Sequence, residues 1–210
     1  MLLAIDTSAG TTVAIVDRDR GIIAERSSDD TRSHAELIGS YIAQCLDESG
    51  VAIRDLSAVA VGMGPGPFTG LRVGIAAAQA FALGAGRPVM RLVSHDAVAF
   101  DLFSSGHTGP LLVVTDARRR EVYWSAYGGA DATGLPVRDA EPGLTRPDDL
   151  CTAVPRFGDY TRVDAARIPG GALGMLAETM SANGRTFAGP GALYLRPPDA
   201  IASAGPKRVS

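Results

Sequence analysis

Cysteine is scarce. Cys45 and Cys151 are the only two in 210 residues. Two thiols are too few for a disulfide framework, and with no Cys–His cluster nearby they do not read as a zinc site. Both are read as reduced and structural. A basic excess is also lacking, because the formal net charge is −3 and the pI is near 5.6. A dedicated nucleic-acid binder would carry its positive charge on one face; the one local run is Arg118-Arg119-Arg120. No apolar stretch reaches the roughly 20 residues of a membrane span. The longest, Val73 to Gly86, is interrupted by Gln79 and flanked by Arg72 and Arg87, so it predicts a buried helix. The first residues lack a basic n-region and meet Asp6 too early for a signal peptide. These absences predict a soluble, cytoplasmic protein with no membrane contact. Hydrophobic residues at 46% and charged residues at 20% are ordinary for a globular chain and argue against disorder.

What is present organises itself as strands and helices. Leu2 to Asp6, Thr12 to Val16 and Gly21 to Arg26 read as three strands joined by short turns, a meander of hairpins. Ser33 and Glu36 have capping-box spacing and predict a helix start. Leu37, Ile38, Tyr41, Ile42, Cys45 and Leu46 follow as an amphipathic stripe, and Gly50 ends it. A fourth strand is read over Leu56 to Val61. The loop Gly62-Met63-Gly64-Pro65-Gly66-Pro67-Phe68-Thr69-Gly70 then leads into a helix from Leu71 to Gly84. Pro88 to Val93 predicts a fifth strand, and Ser94 is read as the cap of a third helix reaching Ser104. The order to this point is βββαβαβα.

The second half restarts with strands over Pro110 to Thr115 and Glu121 to Tyr127. Residues 128–147 are rich in Gly, Pro and Asp and read as loop. Short helices are predicted over Pro147 to Ala153 and Ala172 to Met180, and the tail beyond Pro197 reads as loose. The Gly-rich stretch at 105–109 is the expected boundary between two lobes.

The glycine–proline loop joins a strand to a helix N-terminus, where anions often bind. It lacks the Gly-Lys-Ser/Thr ending of a P-loop, and Pro65 and Pro67 remove backbone donors. It reads as a rigid, shaped connection. The helix after it carries only Arg72 and Gln79 as polar residues between Leu71 and Leu83. An apolar surface all round must be covered all round, by a second helix layer, by another chain, or by both. His34, His95 and His107 are the only histidines. His95 has Ala99 where a metal-binding helix would place its second histidine. Ser94-His95-Asp96 contains triad residue types, but sequence neighbours do not form a triad, and no Gly-x-Ser-x-Gly elbow exists. His95 reads as a partly exposed residue at a helix start. Asp6, Thr7 and Ser8, and Asp116, sit at strand ends, where α/β proteins hold ligands; turn chemistry is the alternative. Arg118, Arg119 and Arg120 read as an RNA-phosphate or carboxylate contact, or as a solvated hairpin tip.

Five segments taken together carry a resemblance: Ile5-Asp6-Thr7-Ser8, Ser33-His34-Ala35-Glu36-Leu37, Val61 through Gly74, Asp116 through Tyr123, and Tyr194-Leu195-Arg196-Pro197. The chain resembles the TsaB family of bacterial tRNA threonylcarbamoyladenosine biosynthesis proteins, once grouped with glycoprotease-like proteins. The resemblance is dense to residue 127 and thin from there to Ala192. The usual family pattern has Ser at the position of Pro67 and Gly at that of Arg120.

The resemblance implies an actin-like α/β fold of two lobes, each on a mixed β-sheet, at 1–105 and 106–210, the second reduced. It implies a non-catalytic part in the threonylcarbamoyl modification of adenosine 37 in tRNAs reading codons that begin with A. The catalytic paralogue, TsaD, would hold the metal; its His-x-x-x-His motif falls at His95 and Ala99, so this chain would lack the second ligand. No cofactor and no metal are expected. TsaB-type subunits pair with TsaD through the first two helices of each, an ATPase, TsaE, docks on the pair, and the subunit alone forms homodimers; tRNA is met indirectly. The expected interface is His34, Leu37, Ile38, Tyr41, Ile42, Val73, Ala76, Ala77 and Ala80. The competing reading is an enzyme of the actin-like superfamily, a nucleotide-dependent phosphotransferase or a metallopeptidase.

Overall fold

The computed structural model describes residues 1–196. The expected loose tail beyond Pro197, and Pro197 itself, lie outside the described residues.

The first five strands form one mixed sheet in the order β3-β2-β1-β4-β5. β1 (Leu2–Asp6), β2 (Thr11–Asp17) and β3 (Gly21–Ser28) are antiparallel neighbours, while β4 (Ala58–Gly62) and β5 (Val89–Leu92) run parallel to β1. β1 is buried on both faces, which is why it reads as a continuous apolar run. Its alternate residues feed two different cores. Leu3 and Ile5 join Val13, Ile15, Val59 and Val61 under α1 (His34–Ser49) and α2 (Phe68–Ala85). Leu2 and Ala4 join Ala14, Val16, Ala58 and Ala60 on the opposite face.

That opposite face is covered by α3 (Ser94–Ser104) and by α5 (Gly170–Ala182), a helix from the far end of the chain. α5 lies so close to the sheet that a Cβ on Gly174 would stand 2.6 Å from the Val16 side chain. Glu25 of β3 accepts a 2.9 Å hydrogen bond from Gly170 N at the start of α5. The chain therefore returns to the first sheet after building the second.

The second sheet has the order β10-β6-β7-β8, with β9 pairing the first half of β7. Its strands are β6 (Leu111–Asp116), β7 (Val122–Ala130), β8 (Pro136–Arg138), β9 (Gly143–Thr145) and β10 (Thr161–Asp164). Leu111, Val113 and Tyr127 face α3 and α5; Leu112, Val114, Trp124 and Ala126 face the short α4 (Leu150–Ala153). The layers thus run α1/α2, sheet, α3/α5, sheet, α4.

Several local expectations are corrected. Residues 128–147 contain β8 and β9 rather than loop alone, since two three-residue strands are too short to show a period of two. Ser33 makes no capping bond to the helix backbone; its hydroxyl donates to Asp30 Oδ2 at 2.8 Å. Ser94 does not cap α3 either, because its hydroxyl is taken by Asp6. The apolar helix is not buried: only Gly70, Leu71, Gly74, Ala78 and Ala82 of its 18 residues are. By length and composition alone α2 would suffice to cross a membrane.

Candidate functional site

The ends of β1 and β4 meet the start of α2, and the packing there is tight. Asp6 is 1% exposed. Its Oδ1 accepts bonds from Ser8 N at 2.7 Å and Ser8 Oγ at 2.6 Å, and its Oδ2 accepts one from Ser94 Oγ at 2.5 Å. Ser94 Oγ in turn accepts from Gly64 N at 3.0 Å. Burial pushes the Asp6 carboxyl above its ordinary range, opposed by these bonds. The carboxylate lies so near β4 that a Cβ on Gly62 would be 1.7 Å from Asp6 Oδ2. Thr7 Oγ1 donates to Gly70 O at 2.7 Å and accepts from Gly74 N at 3.0 Å. Asp6 and Thr7 therefore fasten β1 to β4, α2 and α3, and only Ser8 of this trio lines an open cleft.

His95 is fully buried, not partly exposed. Its Nδ1 is 2.8 Å from Ser125 Oγ and its Nε2 2.9 Å from Thr115 Oγ1. Burial pushes its pKa down to about 3, so the ring is neutral. A neutral imidazole has one donor and one acceptor nitrogen, and the two hydroxyls use both. The residues at this position therefore do not fit a metal: the His95 lone pair is engaged, position 99 is alanine, and no cluster of three ligand-type side chains occurs among the described residues.

Of the expected interface, the structure separates two groups. His34 and Ile38 are each 7% exposed and belong to the inside of the chain. His34 Nδ1 is 2.7 Å from Thr11 Oγ1, and burial lowers its pKa. This corrects the expectation that both face a partner: the two residues turn toward the sheet. Leu37, Tyr41, Ile42, Val73 and Ala77 are half-buried along the seam of α1 and α2. Ala76 and Ala80 are exposed. Leu83, which the sequence reading left out, is 84% exposed. Its spacing from Ala76 and Ala80 is i, i+4, i+7, one face of a helix, and this signal could have found it. The outcome is a smooth stripe of small residues ending in one large apolar knob.

The turn between β6 and β7 lies across the cleft from α2. Arg118, Arg119 and Arg120 have φ of 64°, 54° and 61°. A left-handed conformation costs a non-glycine residue about 1–2 kcal/mol. The turn is held by Glu121 N to Arg118 O at 3.0 Å and by Asp116 Oδ1, which accepts from Arg118 N at 2.9 Å. Asp116 itself is exposed. Arg118 reaches over to hydrogen-bond Thr31 of the first lobe. Arg196, from the C-terminal segment, pairs with Glu121 and donates to Arg118 O at 3.5 Å. The same segment places Tyr194 against Phe68, ring centroids 4.8 Å apart, with the Arg72 guanidinium 3.6 Å over Phe68. The cleft between Ser8, His34, Thr69, Val73 and Arg118 has a volume of about 480 Å³. The structure thus brings Ser8, Arg118 and the first turn of α2 together, and leaves Asp6, Thr7 and His95 behind them as framework.

Two mixed sheets, with the chain crossing back after the second, define an actin-like fold. The solved structure of YeaZ from Pseudomonas aeruginosa superposes on it with a TM-score of 0.71 at 27% identity, covering 87% of this chain and 92% of that one. The family profile described as TsaD, tRNA N6-adenosine threonylcarbamoyltransferase, matches residues 8–140. An uncharacterised Mycobacterium tuberculosis protein is 44% identical over 149 residues, 68% of each chain. The Escherichia coli tRNA threonylcarbamoyladenosine biosynthesis protein TsaB is 34% identical over 126 residues, 60% of this chain and 54% of that one. The chain belongs to this threonylcarbamoyladenosine family and is TsaB-like within it.

Proposed function

We propose that this chain is a non-catalytic partner subunit in threonylcarbamoyladenosine formation on tRNA. It pairs through α1 and α2 with the catalytic TsaD-type paralogue, forms homodimers through the same face when alone, and with the paralogue presents a platform for the TsaE-type ATPase. Its place of action is the cytoplasm, where tRNA is modified. The lobes divide near residue 105, with α5 returned to the first.

The observation that carries this reading is the open face of α2. Ala76 and Ala80 let a partner helix approach closely, and Leu83 supplies a knob that solvent leaves uncovered. Burying one leucine side chain stabilises an association by about 1.5–3 kcal/mol. A helix that is apolar on the side facing water asks for a second surface. The arginine turn stands across the cleft from the first turns of α2, and in this reading Arg118 to Arg120 meet RNA phosphate once the pair has formed; replacing them should weaken tRNA binding to the pair and flatten its salt dependence.

The test is light scattering after size exclusion on this protein mixed with its own organism's catalytic paralogue. A one-to-one complex is expected, and Leu83→Asp should weaken it by at least about tenfold while leaving the free protein folded. An unchanged affinity in that variant would sink the surface; no complex with the wild type would sink the reading. Ala80→Asp, in the middle of the stripe, should act the same way. Ala77 is half-buried within the chain, so a charge there would confound folding with binding.

A further inference from the structure

At the end of β7 opposite the arginine turn lies a cavity of about 520 Å³ that the pairing role does not use. It opens between the first turn of α3, the β7–β8 hairpin and the last turns of α5. One wall is apolar, built from Leu135, Pro136, Leu176 and Met180. The polar end is Asp96, whose side chain is 18% exposed. Asp96 Oδ1 accepts a 2.8 Å hydrogen bond from Tyr127 Oη and lies 3.4 Å from Arg138 Nε. Among the described residues no hydrogen bond or ion pair reaches Asp96 Oδ2.

We propose that this cavity binds a small organic cation, an amine or amidine carried on a compact apolar body, with its charge on the free oxygen of Asp96 and its body against Leu176 and Met180. Three features support the sign of the charge. The lining holds four carboxylates, Asp96, Asp131, Asp139 and Glu141, against the two guanidinium groups Arg138 and Arg185. Asp131 is already paired with Arg185, and Asp139 with Arg156 and Tyr160. Arg138 is shared, with its Nη1 4.0 Å from Glu141. One negative charge is therefore left over, and Arg138 has a second carboxylate to turn to when a ligand takes its place. Burial pushes the Asp96 carboxyl up to about 6, against the opposing pull of Arg138 and Tyr127. Its ionised form is thus short of compensation, which a bound cation would supply. The volume is that of an ordinary small-molecule site.

The experiment is calorimetric titration of the full chain at pH 7.5 with phenethylamine, 2-phenylethanol and phenylacetate, three probes with one apolar body and charges of +1, 0 and −1. The amine is expected to bind at least tenfold tighter than the alcohol, and phenylacetate weakest. Asp96→Asn keeps an acceptor for Tyr127 and should erase the amine's advantage. Glu141→Gln, at a side chain 91% exposed, cannot disturb folding and should weaken the amine by about twofold to fivefold, a Coulomb effect of surface size. The amine's affinity should fall as the pH drops through 6. Asp96 titrates there, faced by Tyr127 from β7, Arg138 from β8, Glu141 and Asp139 from the turn after it, Asp131 from the hairpin and Arg185 after α5. The proposal is overturned if the wild type binds no amine, if the alcohol binds as tightly, if phenylacetate binds best, or if Asp96→Asn or Glu141→Gln leaves the preference intact. None of these results depends on whether the chain pairs with a paralogue.

Discussion

Replacing Thr7 by valine tests how α2 is held. The two side chains have nearly the same shape, but valine has no hydroxyl. In the native chain that hydroxyl bridges Gly70 O and Gly74 N, an i, i+4 pair in the first turns of α2, from a site 2% exposed. Each buried hydrogen bond contributes about 1 kcal/mol net, and a buried group left without a partner costs about 1–3 kcal/mol. The Gly70–Gly74 pair can in part satisfy itself by closing on its own, as an ordinary helical bond. The expected loss is therefore about 2–4 kcal/mol of unfolding free energy. At roughly 2–4 °C per kcal/mol for a chain of this size, the melting temperature should fall by about 5–15 °C. Urea denaturation followed by circular dichroism measures it, with Thr7→Ser as the control that keeps the hydroxyl. Because a Cβ on Gly74 would lie 2.2 Å from Thr7 Oγ1, the helix has no room to slide and recover the bonds. If valine came within 0.5 kcal/mol of the wild type, the claim that Thr7 anchors the helix would be wrong.

Further expectations concern the turn and the buried titrating groups. Arg120→Gly should stabilise the chain by about 1 kcal/mol, because glycine adopts a φ of 61° without steric cost; a destabilised variant would show that the arginine side chain contributes more than the backbone strain. His95 is held near pKa 3, below its unfolded value, so the unfolded chain binds the extra proton and stability falls as pH drops from about 6.5. Asp96, raised to about 6, has the opposite sign between pH 6 and 4, since there the folded chain binds the extra proton. The two offset each other in the wild type. In Asp96→Asn, stability measured by urea denaturation should decline more steeply over that window, by up to about 1.4 kcal/mol per pH unit; an unchanged slope would remove Asp96 from the account.

The first half of the chain was legible because its signals are local. β1 to β5 and α1 to α3 appear in the predicted order; β1 and α3 have the read bounds and the others differ by at most three residues at an end. The glycine–proline segment was read as a loop throughout, whereas Gly62 ends β4 and Phe68 to Gly70 open α2, and its fit is set by contacts. Gly62 is required by the Asp6 carboxylate, a residue 56 positions away. β8 and β9 escaped notice because three residues cannot display an alternation, and their strand character comes from pairing with β7. His95 was misread because a helix start is usually wet. Nothing near it in the sequence announces that Thr115 and Ser125, on two strands of the other sheet, will close over both ring nitrogens.

What the sequence determined by itself was composition and periodicity: a globular α/β chain, an amphipathic α1, an α2 apolar on every side, and the absence of a second histidine after His95. Those follow from residue type and spacing alone. Which side of α2 would stay open was decided only by the tertiary structure. The sheet takes Leu71, Gly74, Ala78 and Ala82, and among the described residues no element covers the face of Ala76, Ala80 and Leu83. The structure likewise turned Asp6 and Thr7 from candidate ligand groups into fastenings. A carboxylate or a hydroxyl goes to whichever partners the fold brings within 3 Å, and here those partners come from Ser8 in the turn after β1, from α2 and from α3 rather than from solvent.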